Sequence, residues 1–405
     1  MIVASSSKVA PHRLQSRRFI GLYALAAAGG SASYSPFLTL LLPVRVAEIW
    51  EDRAVEILSY TAFAGAAAAS LANIAFGWAS DRTRNRRGWI VAGAATSGAL
   101  LVAVKEVDTL SALLAMIVAW QIALNMMLAP LSAWAGDCIP DEQKGTLGGL
   151  LSAAPAIGAL TGAFVTLPGF AGADMRLALV AGLAAIMVLP VVFFGKPRPM
   201  PHLMKPAAIP IGEERARIAP KISMPVRRMW LGRLLMQISE AALFAFLLFW
   251  FQDINAGMSD NDTAAIFTTV LFVSIPLAVL VGRWSDRAGR PILPLTVTSA
   301  CGAMGLLVMA GAQDLGIGIA GYVLFGTTAA IFLALHSGQT LRVLPRPATR
   351  GRDLGFFNLT NTVPSLIMPW LTLALVPVFG FDALFLLLSC LAALASVLLG
   401  TMRRL

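Results

Sequence analysis

Between positions 19 and 401 the sequence is built of apolar runs of about 20 residues, separated by short charged or Pro/Gly-containing breaks. At about 1.5 Å per residue, such a run matches the ~30 Å hydrocarbon core of a bilayer. Twelve spans are predicted, at 19–43, 57–80, 89–107, 109–134, 146–168, 174–194, 229–252, 261–283, 291–311, 314–338, 354–377 and 381–401. Transmembrane strands are short and alternate in polarity, whereas these runs are long and continuously apolar. Only 13% of residues are charged and 58% are hydrophobic, against about 25% charged in soluble domains. The predicted fold is an all-α membrane protein in the lipid bilayer.

The formal net charge of +10 raises the question of a nucleic-acid partner. The placement of the 31 Lys and Arg residues answers it. With the N-terminus inside, all but Arg45, Arg53, Lys105 and Arg176 fall toward the cytoplasmic side. This is the positive-inside asymmetry, and it predicts both termini in the cytoplasm of a bacterial inner membrane. No nucleic-acid partner is needed. "RLQSRR" followed by an apolar stretch and "GGSAS" looks like a secretory signal, but "FLTLLLP" extends the run to spanning length. Cys138, Cys301, Cys390 and His12, His202, His336 are dispersed without metal or haem spacing, so no cofactor or metal is expected and redox catalysis is disfavoured. Cys138 is predicted in the loop after the fourth span.

The chain also repeats itself. "GWASDRTRNRRG" begins at Gly77 and "GRWSDRAGRP" at Gly282, and both carry G-x-x-x-D-R, with 205 positions between Asp81 and Asp286. "DCIPDEQKGTLGG" and "RVLPRPATRGRDLGF" repeat at nearly the same offset. Between the halves lies a stretch with seven prolines and eight basic residues, incompatible with a packed core. Four segments are predicted: an N-terminal tail at 1–18, a six-helix bundle at 19–194, a cytoplasmic linker at 195–228 in which "GEERARIA" is a tether or a short interfacial helix, and a second bundle at 229–405.

Twelve spans in a 6+6 repeat, the long middle segment and the two motif copies resemble the major facilitator superfamily over nearly the whole chain. The second copy fits the family's G-x-x-x-D-R-x-G-R through Gly289 and Arg290; the first has Arg84 where glycine is expected. "SDRTRNRR" and "RGRDLGFFNLTNTVP" are similar to the sugar:cation symporter and sucrose-transporter-like branches. The resemblance implies a transporter rather than an enzyme, taking a small-molecule substrate, using protons, and acting as a monomer. It also implies that Asp81 faces the start of span 11 near Gly351 and Asp286 the start of span 5 near Gly145. Gly77, Asp81, Arg82, Gly282, Asp286, Arg287 and Arg290 would then form a cytoplasmic gate. The arginines also anchor topology on their own account.

Ionisable residues inside a span are functional candidates. Glu240 lies 12 residues after Arg228 and 13 before Asp253, roughly 18 and 20 Å from the two boundaries. Keeping its charge there requires a partner and losing it requires a proton, so Glu240 is the candidate for proton coupling, or else a packing residue. Gln237 and Arg233 share its helical face. Span 2 has no carboxylate, which disfavours sodium coupling.

In the family, spans 1, 4, 7 and 10 line the central cavity. On these, Ser31, Tyr34, Gln121, Asn125, Gln237 and Tyr322 are the candidate substrate residues, each equally readable as interhelical glue. Asn73, Asn358, Asn361 and His336 lie nearer the cytoplasmic ends. The leading expectation is proton-coupled uptake of a small, sugar-like solute. Two others stay open: an exporter of amphiphilic compounds, for which "SAAPAIGALTG" partly resembles an antiporter signature G-P-x-x-G-G with Ala154 and Ala159 replacing glycines, and a non-transporting receptor or pigment-assembly protein.

Overall fold

The computed structural model describes residues 14–50, 53–204, 224–255, 257–258, 260–344 and 347–402. Among these the secondary structure is helical without strands. "GEERARIA" and most of the N-terminal tail lie outside the described residues.

Span 1 is α1 (Arg17–Pro36), a π-helical turn Phe37–Leu41, and α2 (Leu42–Ile49). The turn falls between Pro36 and Pro43, two residues that lack an N–H for the regular ladder. The first half continues with α3 (Ala54–Thr83), α4 (Arg86–Ala103), α5 (Leu110–Cys138), α6 (Lys144–Leu151), α7 (Ala153–Val165) and α8 (Ala173–Phe194). A short α9 (Pro201–Met204) follows, then α10 (Met224–Ile254), α11 (Asp260–Ala288), α12 (Leu293–Ala310), α13 (Leu315–Val343) and α14 (Arg350–Gly400). Side-chain caps start several of them: Ser16 accepts from Phe19 N–H, Asn85 from Gly88 N–H, and Asp314 from Gly316 and Ile317 N–H.

Helix α14 holds two predicted spans. Gly380, at φ 74 and ψ −179, is its one non-helical residue, in a backbone region reserved for glycine. Near the start of α10, Trp230 donates to the Phe356 carbonyl at 2.9 Å and Arg228 to the Thr401 carbonyl at 3.5 Å. A straight helix would hold those two carbonyls roughly 65 Å apart. The chain therefore doubles back at Gly380.

By length and apolar composition, ten helices among the described residues qualify to cross a membrane. Of the twelve predicted spans, the seventh (in α10) and the eleventh (the first part of α14) fall outside that count. These two carry Arg233, Gln237 and Asn361, polar side chains bonded to one another between helices. Several helices run past their predicted ends: α3 to Thr83, α11 to Ala288 and α13 to Val343. Cys138 is not in a loop. It is the buried last residue of α5, and its carbonyl accepts from the Gln15 side chain.

Packing gathers into two cores, one in each half, with Leu341 of the second half joining the core of the first. Phe37 meets Trp120 edge-on at 4.8 Å in the first, and Trp250 meets Phe385 edge-on at 4.8 Å in the second. Leu71, Ile186, Val378 and Val397 are exposed, as expected of side chains whose solvent is lipid.

Candidate functional site: two helix starts and a cleft between the halves

The motif aspartates occupy parallel positions. Gly351 and Arg352 N–H, in the first turn of α14, donate to Asp81 Oδ1 and Oδ2, both at 3.0 Å. Gly145 and Thr146 N–H, in the first turn of α6, donate to Asp286 Oδ1 at 2.8 Å and Oδ2 at 2.6 Å. First-turn N–H groups have no intrahelical acceptor and carry the positive end of the helix dipole. Gln143 and Thr349, which precede these helices, make no side-chain cap of their own. Each half thus caps a helix of the other.

The glycines explain how the backbones come so close. A Cβ on Gly77 would collide with the Gly351 carbonyl, and one on Gly282 with the Gly145 carbonyl. Farther in, Gly148 packs on Ala334, Gly149 on Ala278 and Gly355 on Ile74. Farther from the motifs, among the described residues, Ser70 and Thr362 join the halves by a hydrogen bond of 2.9 Å. Among the described residues, the polar contacts between the halves gather toward the motif face.

The arginines divide differently from the motif. Arg82 is exposed and lies over the Trp78 ring at 5.8 Å, while Arg287 and Arg290 are exposed and have no ion pair among the described residues. The ion pairs come from residues that the sequence pattern did not single out. Arg86 donates to Asp81 at 2.6 Å and to Asp137 at 3.0 Å; Arg350 of the other half donates to Asp137 at 2.6 Å. On the second motif, Arg342 donates to Asp286 at 3.2 Å, and Lys144 bonds Asp141 and the Leu341 carbonyl.

Beneath this layer a cleft of about 750 Å³, including its open mouth, lies between the halves. Its polar lining includes Tyr23 of α1, Asn73 of α3, Ser132 of α5, Arg233 of α10, Ser337 and Thr340 of α13, and Asn358 and Asn361 of α14. Asn361 Oδ1 accepts from Arg233 Nη2 at 3.2 Å and Gln237 Nε2 at 2.7 Å, and its own amide donates to Asn358 at 2.8 Å. Arg233 Nη1 donates to Ser337 Oγ at 3.0 Å. His336 is fully buried, with Nε2 2.9 Å from the Met229 carbonyl. A carbonyl can only accept, so Nε2 carries the proton and Nδ1 faces Thr340 and Arg233.

The other candidate residues lie outside that lining. Ser31 is buried where α1 meets Gly158 of α7, and Gln121 lies against Gly65 of α3. Asn125 accepts from Asn73 at 2.8 Å and donates to the Gln121 carbonyl. Tyr322 is buried edge-on to Phe251, while Tyr34 is exposed. Glu240 is partly buried and makes no hydrogen bond or ion pair with a described residue, although it interacts through space with Arg233.

No curated protein matches the chain. The solved structures that share its fold include the following three. The human organic anion transporter MFSD10 (TETRAN) is 17% identical with a TM-score of 0.73, over 95% of this chain and 99% of that one. A bacterial homologue of the iron transporter ferroportin, in an outward-facing state, is 14% identical with a TM-score of 0.73, over 95% and 98%. The proton:xylose symporter XylE, bound to 6-bromo-6-deoxy-D-glucose, is 13% identical with a TM-score of 0.71, over 95% of each chain. The model of the Major Facilitator Superfamily matches residues 19–334 and, as a second match, 229–404, and with its integral-membrane, all-helical architecture the chain belongs to that superfamily.

Proposed function

We propose that the chain is a secondary active transporter that moves a small solute by alternating access, driven by protons through Glu240. It works as a monomer in a bacterial inner membrane, with the motif face and both termini in the cytoplasm. The observation that carries this reading is the reciprocal capping: the first turns of α6 and α14 rest on carboxylates of the opposite half. Bonds placed between halves, rather than within them, are those that rocking of one bundle against the other makes and breaks. The conformation described is the one closed at the motif face, with Asp81 and Asp286 as its latch and Gly77 and Gly282 as its close-approach points.

Glu240 suits the proton role because it is an intramembrane carboxylate without a hydrogen-bonded counter-ion among the described residues. Proteins of like fold include a proton:xylose symporter, an organic anion transporter and a homologue of an iron transporter, so the fold does not choose the solute. The test is uptake of a solute panel into proteoliposomes, with and without an imposed pH gradient. Glu240→Gln keeps shape but cannot titrate; accumulation driven by the gradient is expected to disappear while exchange between equal pools survives. Unchanged gradient-driven accumulation would remove Glu240 from coupling and leave it as a packing residue.

A further inference from the structure

Arg233 is a cation on the wall of a cleft whose other polar lining residues are amides and hydroxyls. Its three protein contacts, to His336, Ser337 and Asn361, are all to neutral acceptors. A guanidinium has five N–H donors, so Nε–H and one Nη2–H have no acceptor among the described residues. Glu240, seven positions along the same helix, acts on Arg233 only through space. A charge inside a span without a paired counter-charge is costly. Holding Arg233 in place with three neutral acceptors, and leaving part of its fork free toward a cleft, is the arrangement of a binding site rather than of a structural ion pair.

We infer that the transported solute carries a carboxylate, which docks on the free donors of Arg233. This rests on the transport reading above and names its substrate class. A single carboxylate matches the single positive charge and the planar fork. A phosphate dianion would leave excess negative charge in a cleft whose described lining residues include one cation. The amide of Asn361, fixed between Arg233 and Gln237, holds the fork's orientation, so it is a positioning residue. The bound carboxylate adds a negative charge to the span that holds Arg233 and Glu240, and a proton taken up with it offsets that charge. Solute and proton are then taken up together, and the loaded site carries no net charge beyond that of the empty site with Glu240 ionised.

The test is binding to the purified full-length protein, by thermal shift and calorimetry. The probes are lactate, benzoate and gluconate, each paired with its neutral amide, together with inorganic phosphate. At least one carboxylate is expected to bind about 10- to 100-fold more tightly than its amide, the range of a charge-assisted hydrogen-bonded contact. Arg233→Gln should abolish that preference, and Arg233→Lys should restore it in part, which also guards against a misfolded glutamine variant. Glu240→Gln should tighten the carboxylate several-fold, an effect no neutral ligand would show. The inference is overturned if no carboxylate binds, if the amides bind equally, if phosphate binds more tightly than every carboxylate, or if Arg233→Gln retains the preference. Failure of the transport reading is separable: carboxylate binding without gradient-driven uptake removes the transporter and keeps the site, whereas gradient-driven uptake of neutral solutes alone does the reverse.

Discussion

The two motif ends do the same job with different chemistry. At the first, Asp81, Arg86, Asp137 and Arg350 form a chain of alternating charge whose side chains are at most 11% exposed, and one of its ion pairs joins the two halves. At the second, the ion pair Asp286–Arg342 stays within one half, and the crossing is made by two N–H groups and the Thr146 hydroxyl on Asp286, the Lys144 ammonium on the Leu341 carbonyl and the Arg342 guanidinium on the Asp141 carbonyl. At the second end the halves are therefore joined by helix capping and by cations on backbone carbonyls, without an ion pair between the halves among the described residues. The ion pair between the halves is an addition on the first side, and it makes that side the more sensitive to losing a single partner, because a buried charge left alone costs about 3–5 kcal/mol.

Substitutions can break this contrast. Asp81→Asn should have the largest effect, leaving Arg86 with half its compensation and shifting the equilibrium away from the closed motif face by about 3 kcal/mol. Asp286→Asn keeps an acceptor for one N–H and should cost about 1–2 kcal/mol. Spin-label distances across the motif face measure both; equal shifts would mean that the ion-pair network adds nothing to capping. Thr146→Val removes one hydroxyl donor and should cost about 1 kcal/mol, read in the same distances.

The smallest effect is expected where the two motif copies diverge in backbone. Arg84 ends α3 in the left-handed region at φ 53, and Gly289 holds the corresponding place at φ 62. A side chain there is strained by about 1 kcal/mol. Arg84→Gly should raise thermal stability modestly without changing the spin-label distances. A fall in stability would show that the Arg84 side chain contributes more than its backbone conformation costs.

The helices were legible because a bilayer demands long apolar runs, and the two aspartates because the repeat placed them 205 positions apart. The departure at Arg84 was visible too, although not that its backbone would still take the left-handed turn. Arg86 and Asp137 were harder to see. They are 51 positions apart on different helices, and no spacing rule joins an arginine just past a helix end to an aspartate near the end of another. Arg350 lies within the repeated "RVLPRPATRGRDLGF", which carries no signal for its pairing with Asp137. Arg233 could be assigned to the face of Glu240, since periodicity reports a helix's own faces. It does not report which neighbour each face meets, so the contacts with Asn361 and Ser337 had no signature in sequence.

Capping in trans also has a consequence in time. Gly145 and Asp286 are 141 residues apart, and at about 5–20 residues per second that separation is on the order of 10 s of synthesis. During this interval the first turn of α6 has been made and its acceptor has not. The opposite holds for α14, whose cap, Asp81, is already in place when Gly351 leaves the ribosome. The first bundle must therefore tolerate an unfinished helix start that the second never has, and a nascent chain arrested before Asp286 should exchange the Gly145 and Thr146 amide hydrogens far faster than the completed protein.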